Sequence, residues 1–443
     1  MPFLCHYLFL FSLWLSFFSA PLWAQTRTDL LTRYQITELT LKNGMRICLK
    51  QSKLEPGEFD FQLFALGGFA SLPTADQPSG WLAAEIAWES GLDQHTGDEL
   101  ECALDDHSIE MQIKLERFGR QIEATGPTTE IDFCLQLTRL IFTNPRFNEE
   151  GFKEALAHAR HHLQQRAKEN QLIDGEIFTK VNLRNWYTIA HFNLLDLNKI
   201  ELKKAKDLFN AFFSNPAEFM LVLVGDFNPQ EIIPLLEASL GSLPTYPVKK
   251  WDYPTPPAFP EGITKKEISG VTRYKTSHTH LTFPLSTQMI DPVTHDLLCS
   301  ILKQRFLTEA APNEQWRKDI VITHEFPLFP YMQPLWLIIK FTSSVSEVYS
   351  ISQSILTTLE NIKRTGISEK EFKTAYLELI ANKPTSSDNA YDLSLLANYY
   401  RAGWDVLKLY ELSDQEKQEK MMLKKVWDCY PNLNQYSIIS LHP

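Results

Sequence analysis

The stretch from Phe59 to Leu92, FDFQLFALGGFASLPTADQPSGWLAAEIAWESGL, changes its hydrophobic period partway along. Phe59, Phe61, Leu63 and Ala65 alternate with positions that are themselves partly apolar, which predicts a strand over 59–66 with both faces covered. Gly67 and Gly68 turn the chain, a polar loop follows, and a helix enters near Ser79. On that helix Leu82, Ile86 and Glu89 share a face at i, i+4, i+7, while Ala83, Ala84 and Ala87 permit close packing.

The same reading extends in both directions. Glu38 to Lys50 predicts a hairpin with Asn43-Gly44 as a type I′ turn. Gly97 starts a short helix, Ile109 to Leu115 alternates as a strand, and Arg120 to Thr125 pairs back through Phe118-Gly119. Helices are expected before Asn144-Pro145, over 148–168, over 173–187 and over 202–213. A strand over 219–224 then feeds a helix over 229–240, with Asn228 as its N-cap and Pro229 in its first turn.

Pro244 to Pro260 holds six prolines and reads as a stiff, extended linker. Beyond it come strands over 280–283, 320–323 and 335–341, and helices over 292–307, 345–365, 369–381 and 390–400. A strand feeding a helix occurs both at 219–240 and at 335–359, which suggests an internal duplication.

Composition narrows the classes. Met1 to Ala24 has no charged residue and an apolar centre, which predicts a secretory signal, with a retained N-terminal anchor as the alternative. The exported chain is then periplasmic or otherwise in the cell envelope. The formal charge of −11 argues against nucleic acid as a partner. No membrane span is expected after the signal. Cys48, Cys102, Cys134, Cys299 and Cys429 are far apart with no C-x-x-C spacing, so they indicate neither a disulfide framework nor a zinc knuckle. There is no G-x-S-x-G elbow, P-loop or dinucleotide fingerprint.

The strand, Gly-Gly turn and small-residue helix, together with LFNAFFSNPAEFMLVLVGDFNPQEIIPLLEASLGSLP, resemble the M16 family of zinc metallopeptidases, the insulinase and pitrilysin group that includes mitochondrial processing peptidase. The second segment is similar to the closing β-α unit of PqqL-like members. The resemblance implies an α+β fold of two related sheet-plus-helix domains forming half of a clamshell. The expected division is a signal at 1–24, an N-terminal domain at 30–243, a linker at 244–264 and a C-terminal domain at 265–443.

Active family members carry H-x-x-E-H on this helix, two His holding zinc and the Glu activating water. Counted from Gly80, the matching positions here are Ala83, Ile86 and Ala87, and no His lies between Gly67 and Leu92. Glu85 is expected to have no ligand partners. The resemblance therefore implies no cofactor in this chain, with zinc only in a partner.

A half without zinc is expected to contribute an Arg and a Tyr that bind the substrate carbonyl. Those positions fall on Arg317 and His324; read plainly, one is a surface charge and the other ends a strand. His158 and His162, at i, i+4, form an alternative metal pair on what otherwise reads as a solvated helix face; the resemblance places the family's third zinc ligand, a Glu, in this same region, where Glu154 is the nearest candidate and would be a lone ligand. His278 and His280 share a strand face but lack a third ligand.

The expectation is a noncatalytic M16-like subunit that encloses and orients peptide for a second M16-like subunit bearing H-x-x-E-H, or for a second copy of itself. The alternatives are an envelope peptide-binding or structural protein without a protease partner, and an active zinc peptidase with a displaced metal site.

Overall fold

The computed structural model describes residues 22–169, 173–184, 186, 192–271, 275–285, 292–309, 320–326, 328–329, 335–381, 387–411 and 419–443. The expected signal segment up to residue 21 lies outside them, as does Arg317. Among the described residues no helix is long and apolar enough to cross a membrane.

In the first half the order is α1 (Leu22–Arg33), β1 (Ile36–Thr40), β2 (Arg46–Gln51), β3 (Glu58–Leu66), α2 (Gln77–Ser90), α3 (Gly97–Asp106), β4 (Glu110–Leu115) and β5 (Gly119–Pro127). Then come α4 (Ile131–Thr143), α5 (Glu149–Glu169), α6 (Ile173–Asn182), α7 (Leu202–Phe213), β6 (Met220–Gly225) and α8 (Pro229–Ala238). The second half continues with β7 (Ile263–Ile268), β8 (Ser277–Leu285), α9 (Pro292–Glu309), β9 (Val321–Glu325), β10 (Leu335–Ser343) and α10 (Val348–Thr365). It ends with α11 (Glu369–Ala381), α12 (Asn389–Ala402), α13 (Lys408–Glu411), α14 (Glu419–Asp428) and β11 (Tyr436–Leu441).

The fold is α+β, with one six-stranded sheet in the order β1-β2-β6-β3-β5-β4 and one five-stranded sheet in the order β7-β11-β8-β10-β9. In the first, β2 and β6 are parallel while β6-β3, β3-β5 and β5-β4 are antiparallel. In the second, β7 and β11 are parallel while β11-β8, β8-β10 and β10-β9 are antiparallel. The duplication is therefore present as topology, but its register differs from the expected one. Strand β10 matches β5, not β6, and the counterpart of β6 is β11.

Neither β7 nor β11 is visible to a periodicity search, for opposite reasons. The edge strand β7, ITKKEI, is mostly exposed and charged, whereas β11, YSIISL, is buried at every position.

The first sheet is covered on both faces, as the doubly apolar β3 predicts. One face packs under α2, α4, α7 and α8. On the other, Cys48, Phe64, Val222 and Val224 meet Leu396, Ala397 and Tyr399 of α12, a helix supplied by the second half of the chain. All of β6 is consequently buried.

One local expectation is corrected, and contacts are added to another. Gly44 alone takes positive φ (+92°) in the first hairpin, so the turn is not type I′. Asn43 instead turns inward, and its amide donates to the Leu240 carbonyl at 2.7 Å. The proline-rich segment, for its part, is held against the first half by specific contacts. Asn215 donates to the carbonyls of Tyr246 and Pro247 (3.0 and 3.1 Å), Trp251 stacks on Phe212, and Tyr253 accepts from the Gly68 amide at 2.6 Å.

Candidate functional site

Helix α2 is buried on most of its circumference, which decides what its side chains can do. Ala83, Ile86 and Ala87, the positions on which the resemblance places H-x-x-E-H, are each 0% exposed and point into the first core. They carry no donor atom for a metal and do not fit the zinc that family implies. The side of α2 that keeps some exposure carries Trp81, Glu85, Trp88 and, one turn on from Glu85, Glu89.

That side lines an open cavity of about 300 Å³. Trp81, Ala84 and Glu85 form one wall, Ile113 to Arg117 at the end of β4 form another, and Phe69 and Phe192 close the aromatic end. Trp81 stacks on Phe192 with ring centroids 4.7 Å apart, and Phe69 lies 5.3 Å from the same ring. Lys114 reaches back to Glu123 at 2.9 Å.

Strand β4 is the edge of its sheet, and among the described residues no strand pairs with its outer side. An edge strand presents unpaired N–H and C=O groups and can accept an extended peptide as a further strand. The cavity and this edge are contiguous through Ile113, Lys114 and Leu115.

Helix α5 crosses α2 closely because small residues lie at the contact. Ala155 and Ala159 are buried, and a Cβ built on Gly151 would fall 2.4 Å from the Ser90 backbone nitrogen. Asn148 ties the two together, its amide donating to the Ser90 carbonyl at 3.3 Å. This approach brings His158 over Glu85 and Glu89. Its Nδ1 lies 3.7 Å from Glu85 Oε1 and 3.2 Å from Glu89 Oε1.

Glu85 thus has two partners that a linear reading did not supply. Burial pushes its carboxyl up to about 7, with His158 pulling the other way and Glu89 adding to the rise. Burial also raises Glu89, against the pull of His158. His162 and Glu154 are exposed and stand outside this group. The signal that could have found Glu89 is the i, i+4 carboxylate pair Glu85 and Glu89 on an otherwise apolar helix.

In the second half, His324 lies on β9, the edge strand that corresponds to β4. Its Nδ1 is 3.4 Å from Asp296 of α9, and its ring centroid is 5.2 Å from that of His295. Burial lowers the His324 pKa, with Asp296 acting against it. His280 stacks on Phe178 at 3.5 Å, and burial, then Lys340 and His278, drive it down to about 3. That pair of strand histidines belongs to no metal-ligating group among the described residues. Among the described residues the cysteines are free, with Cys48, Cys134 and Cys429 buried and Cys102 exposed.

Comparison with known proteins agrees with the architecture. Residues 199–379 match the model of the peptidase M16 inactive domain. Over 257 residues the chain is 26% identical to a zinc protease PQQL-like protein of Arabidopsis thaliana, a match covering 56% of this chain and 24% of that protein. The chain therefore spans about a quarter of the length of that curated relative. The solved structure of the periplasmic protease PqqL from Escherichia coli superimposes with a TM-score of 0.71 at 15% identity, covering 92% of this chain and 45% of that one. A peptidase M16 inactive domain from Pseudomonas fluorescens superimposes with a TM-score of 0.70 at 13% identity, covering 92% and 98%.

Proposed function

From the match of residues 199–379 to the peptidase M16 inactive domain and the M16-type fold, we propose that the chain serves as a noncatalytic half that encloses and orients peptide for a zinc-bearing M16 partner in the cell envelope. The observation that carries this reading is the open edge of β4 running into an aromatic-walled cavity. Peptide laid along that edge gains main-chain hydrogen bonds, while Trp81 and Phe192 offer a surface for one of its side chains.

Three further points support it. The helix positions that would hold catalytic zinc are apolar and fully buried. The chain overlays 45% of the PqqL chain, which leaves room for a second half supplied by another subunit or a second copy. The envelope is suggested by that neighbour's being a periplasmic protease and by the uncharged N-terminal segment.

Arg317 and His324 are the residues proposed to bind the substrate carbonyl. The placement of His324 on the edge strand equivalent to β4 supports its part in this. A His at that place donates the hydrogen bond expected of the family's Tyr.

Affinity capture of the full chain from its native envelope, followed by a peptide-cleavage assay on what is recovered, tests the reading. The expected result is an H-x-x-E-H protein in the complex, cleavage by the complex and none by the isolated chain, and slower cleavage with Arg317→Ala although the complex still forms. Recovery of no such protein would turn the reading toward an envelope peptide-binding or structural protein. Cleavage by the isolated chain would make it a peptidase in its own right.

A further inference from the structure

We propose that Glu85, Glu89 and His158 form a binding site for a divalent cation of the zinc class, built from different positions than the H-x-x-E-H motif. Among the described residues they are a group of His, Cys, Asp or Glu side chains whose ligand atoms all lie within 4.8 Å of one another. Zinc bonds oxygen and nitrogen at roughly 2.0–2.2 Å, so tetrahedral ligands stand roughly 3.3 Å apart. The distances from His158 Nδ1 to the two carboxylates, 3.2 and 3.7 Å, bracket that separation.

The donors are held by two helices. Glu85 and Glu89 sit one turn apart on α2, an arrangement that presents both carboxylates to one point. His158 comes from α5, whose contact with α2 is pinned by Gly151 and Asn148. Glu101 and Glu154 add negative charge around Glu89, which favours a cation there.

The donor set also selects among cations. An imidazole nitrogen with two carboxylates suits zinc or its first-row neighbours, whereas calcium and magnesium prefer oxygen alone. Three protein ligands leave a coordination position open, and Glu85 lines the cavity beside β4. With both carboxylates engaged as ligands, the cluster keeps no free carboxylate to act as a base. Cation binding here is thus compatible with a half that does not hydrolyse peptide, and it stands apart from the proposed function.

The test is calorimetric titration of chelator-treated, tag-free full-length protein with zinc chloride, repeated with calcium and magnesium chlorides. One zinc per chain is expected, with calcium and magnesium at least tenfold weaker. Glu89→Gln and His158→Ala should each weaken zinc at least tenfold with an unchanged circular dichroism spectrum, and His162→Ala should leave it as in wild type. Cobalt chloride should give a visible tetrahedral absorption that His158→Gln diminishes. The proposal is overturned if zinc does not bind, if His158→Ala binds it as wild type does, if His162→Ala abolishes binding, or if calcium binds as tightly as zinc. Peptide binding measured in parallel without metal reports separately on the proposed function.

Discussion

The guanidinium of Arg120, on β5, donates to the carboxylate of Glu218, at the entry to β6, inside the first half of the molecule. The Arg120 side chain is wholly buried, and Glu218 keeps only 7% exposure. The cation lies among aromatic rings, 4.8 Å from Phe219, 5.0 Å from Trp251 and 5.7 Å from Phe212. Burial pulls the Arg120 pKa down to about 10, with Glu218 acting against it. Glu218 also accepts from Trp251 Nε1 and the Lys249 amide, both at 2.9 Å, so this one carboxylate fixes the proline-rich segment to the first half.

Removing one partner of a buried pair leaves a charge without compensation. Glu218→Ala should lower stability by about 3–5 kcal/mol in urea denaturation. It should also open 246–253 to limited proteolysis. A variant that keeps wild-type stability and protease resistance would show that the pair holds neither.

Gly151 tests how closely α5 must lie on α2. A Cβ there would sit 2.4 Å from the Ser90 nitrogen and 2.6 Å from the Glu89 carbonyl carbon, both backbone atoms that cannot rotate away. Gly151→Ala should cost roughly 1–3 kcal/mol by overpacking. Because the helices must part, His158 should move away from Glu89 and zinc affinity should fall with stability. Chemical denaturation and zinc titration of the same sample would read both effects.

His280 makes the fold sensitive to acid. Its folded-state pKa of about 3 lies below the ordinary 6.5, so between those values the unfolded chain binds a proton that the folded chain does not. Stability from this group is therefore complete above about pH 6.5 and declines as the pH falls toward 3. His280→Phe retains a ring to stack on Phe178 and has no proton to bind. Denaturation midpoints between pH 7 and pH 4 should fall less in this variant, and an equal fall would assign the acid sensitivity elsewhere.

Trp81 probes the cavity. Its ring lies on Phe192 at the mouth beside β4, and its removal should weaken binding of an unstructured, fluorescently labelled peptide by about tenfold. Fluorescence anisotropy measures this directly. Exposed Tyr349, on α10, serves as the control, since Tyr349→Ala should leave the peptide affinity unchanged.

Much of the element order was legible because it rests on local period and local punctuation. Alternating apolar residues marked β3 and β4, and Asn228 with Pro229 marked the start of α8. The pairing of halves was legible only as a duplication. Which strand matches which depends on sheet neighbours far apart in sequence, and β11 joins its sheet from the far end of the chain. The docking of the proline segment was not legible for a similar reason. Proline content reports stiffness, whereas the contacts of Trp251 and Tyr253 depend on where Glu218 and Gly68 end up.

By itself the sequence determined that α2 would be a small-residue helix without a histidine, because composition is independent of folding. Only the tertiary structure decided which side of α2 faces the cavity, since a helix that is apolar around most of its circumference has no single hydrophobic stripe to reveal its orientation. It likewise decided that His158 would meet Glu85 and Glu89. Helical spacing relates residues within one helix, and the approach of α5 is set instead by the volume of the residues packed between the two.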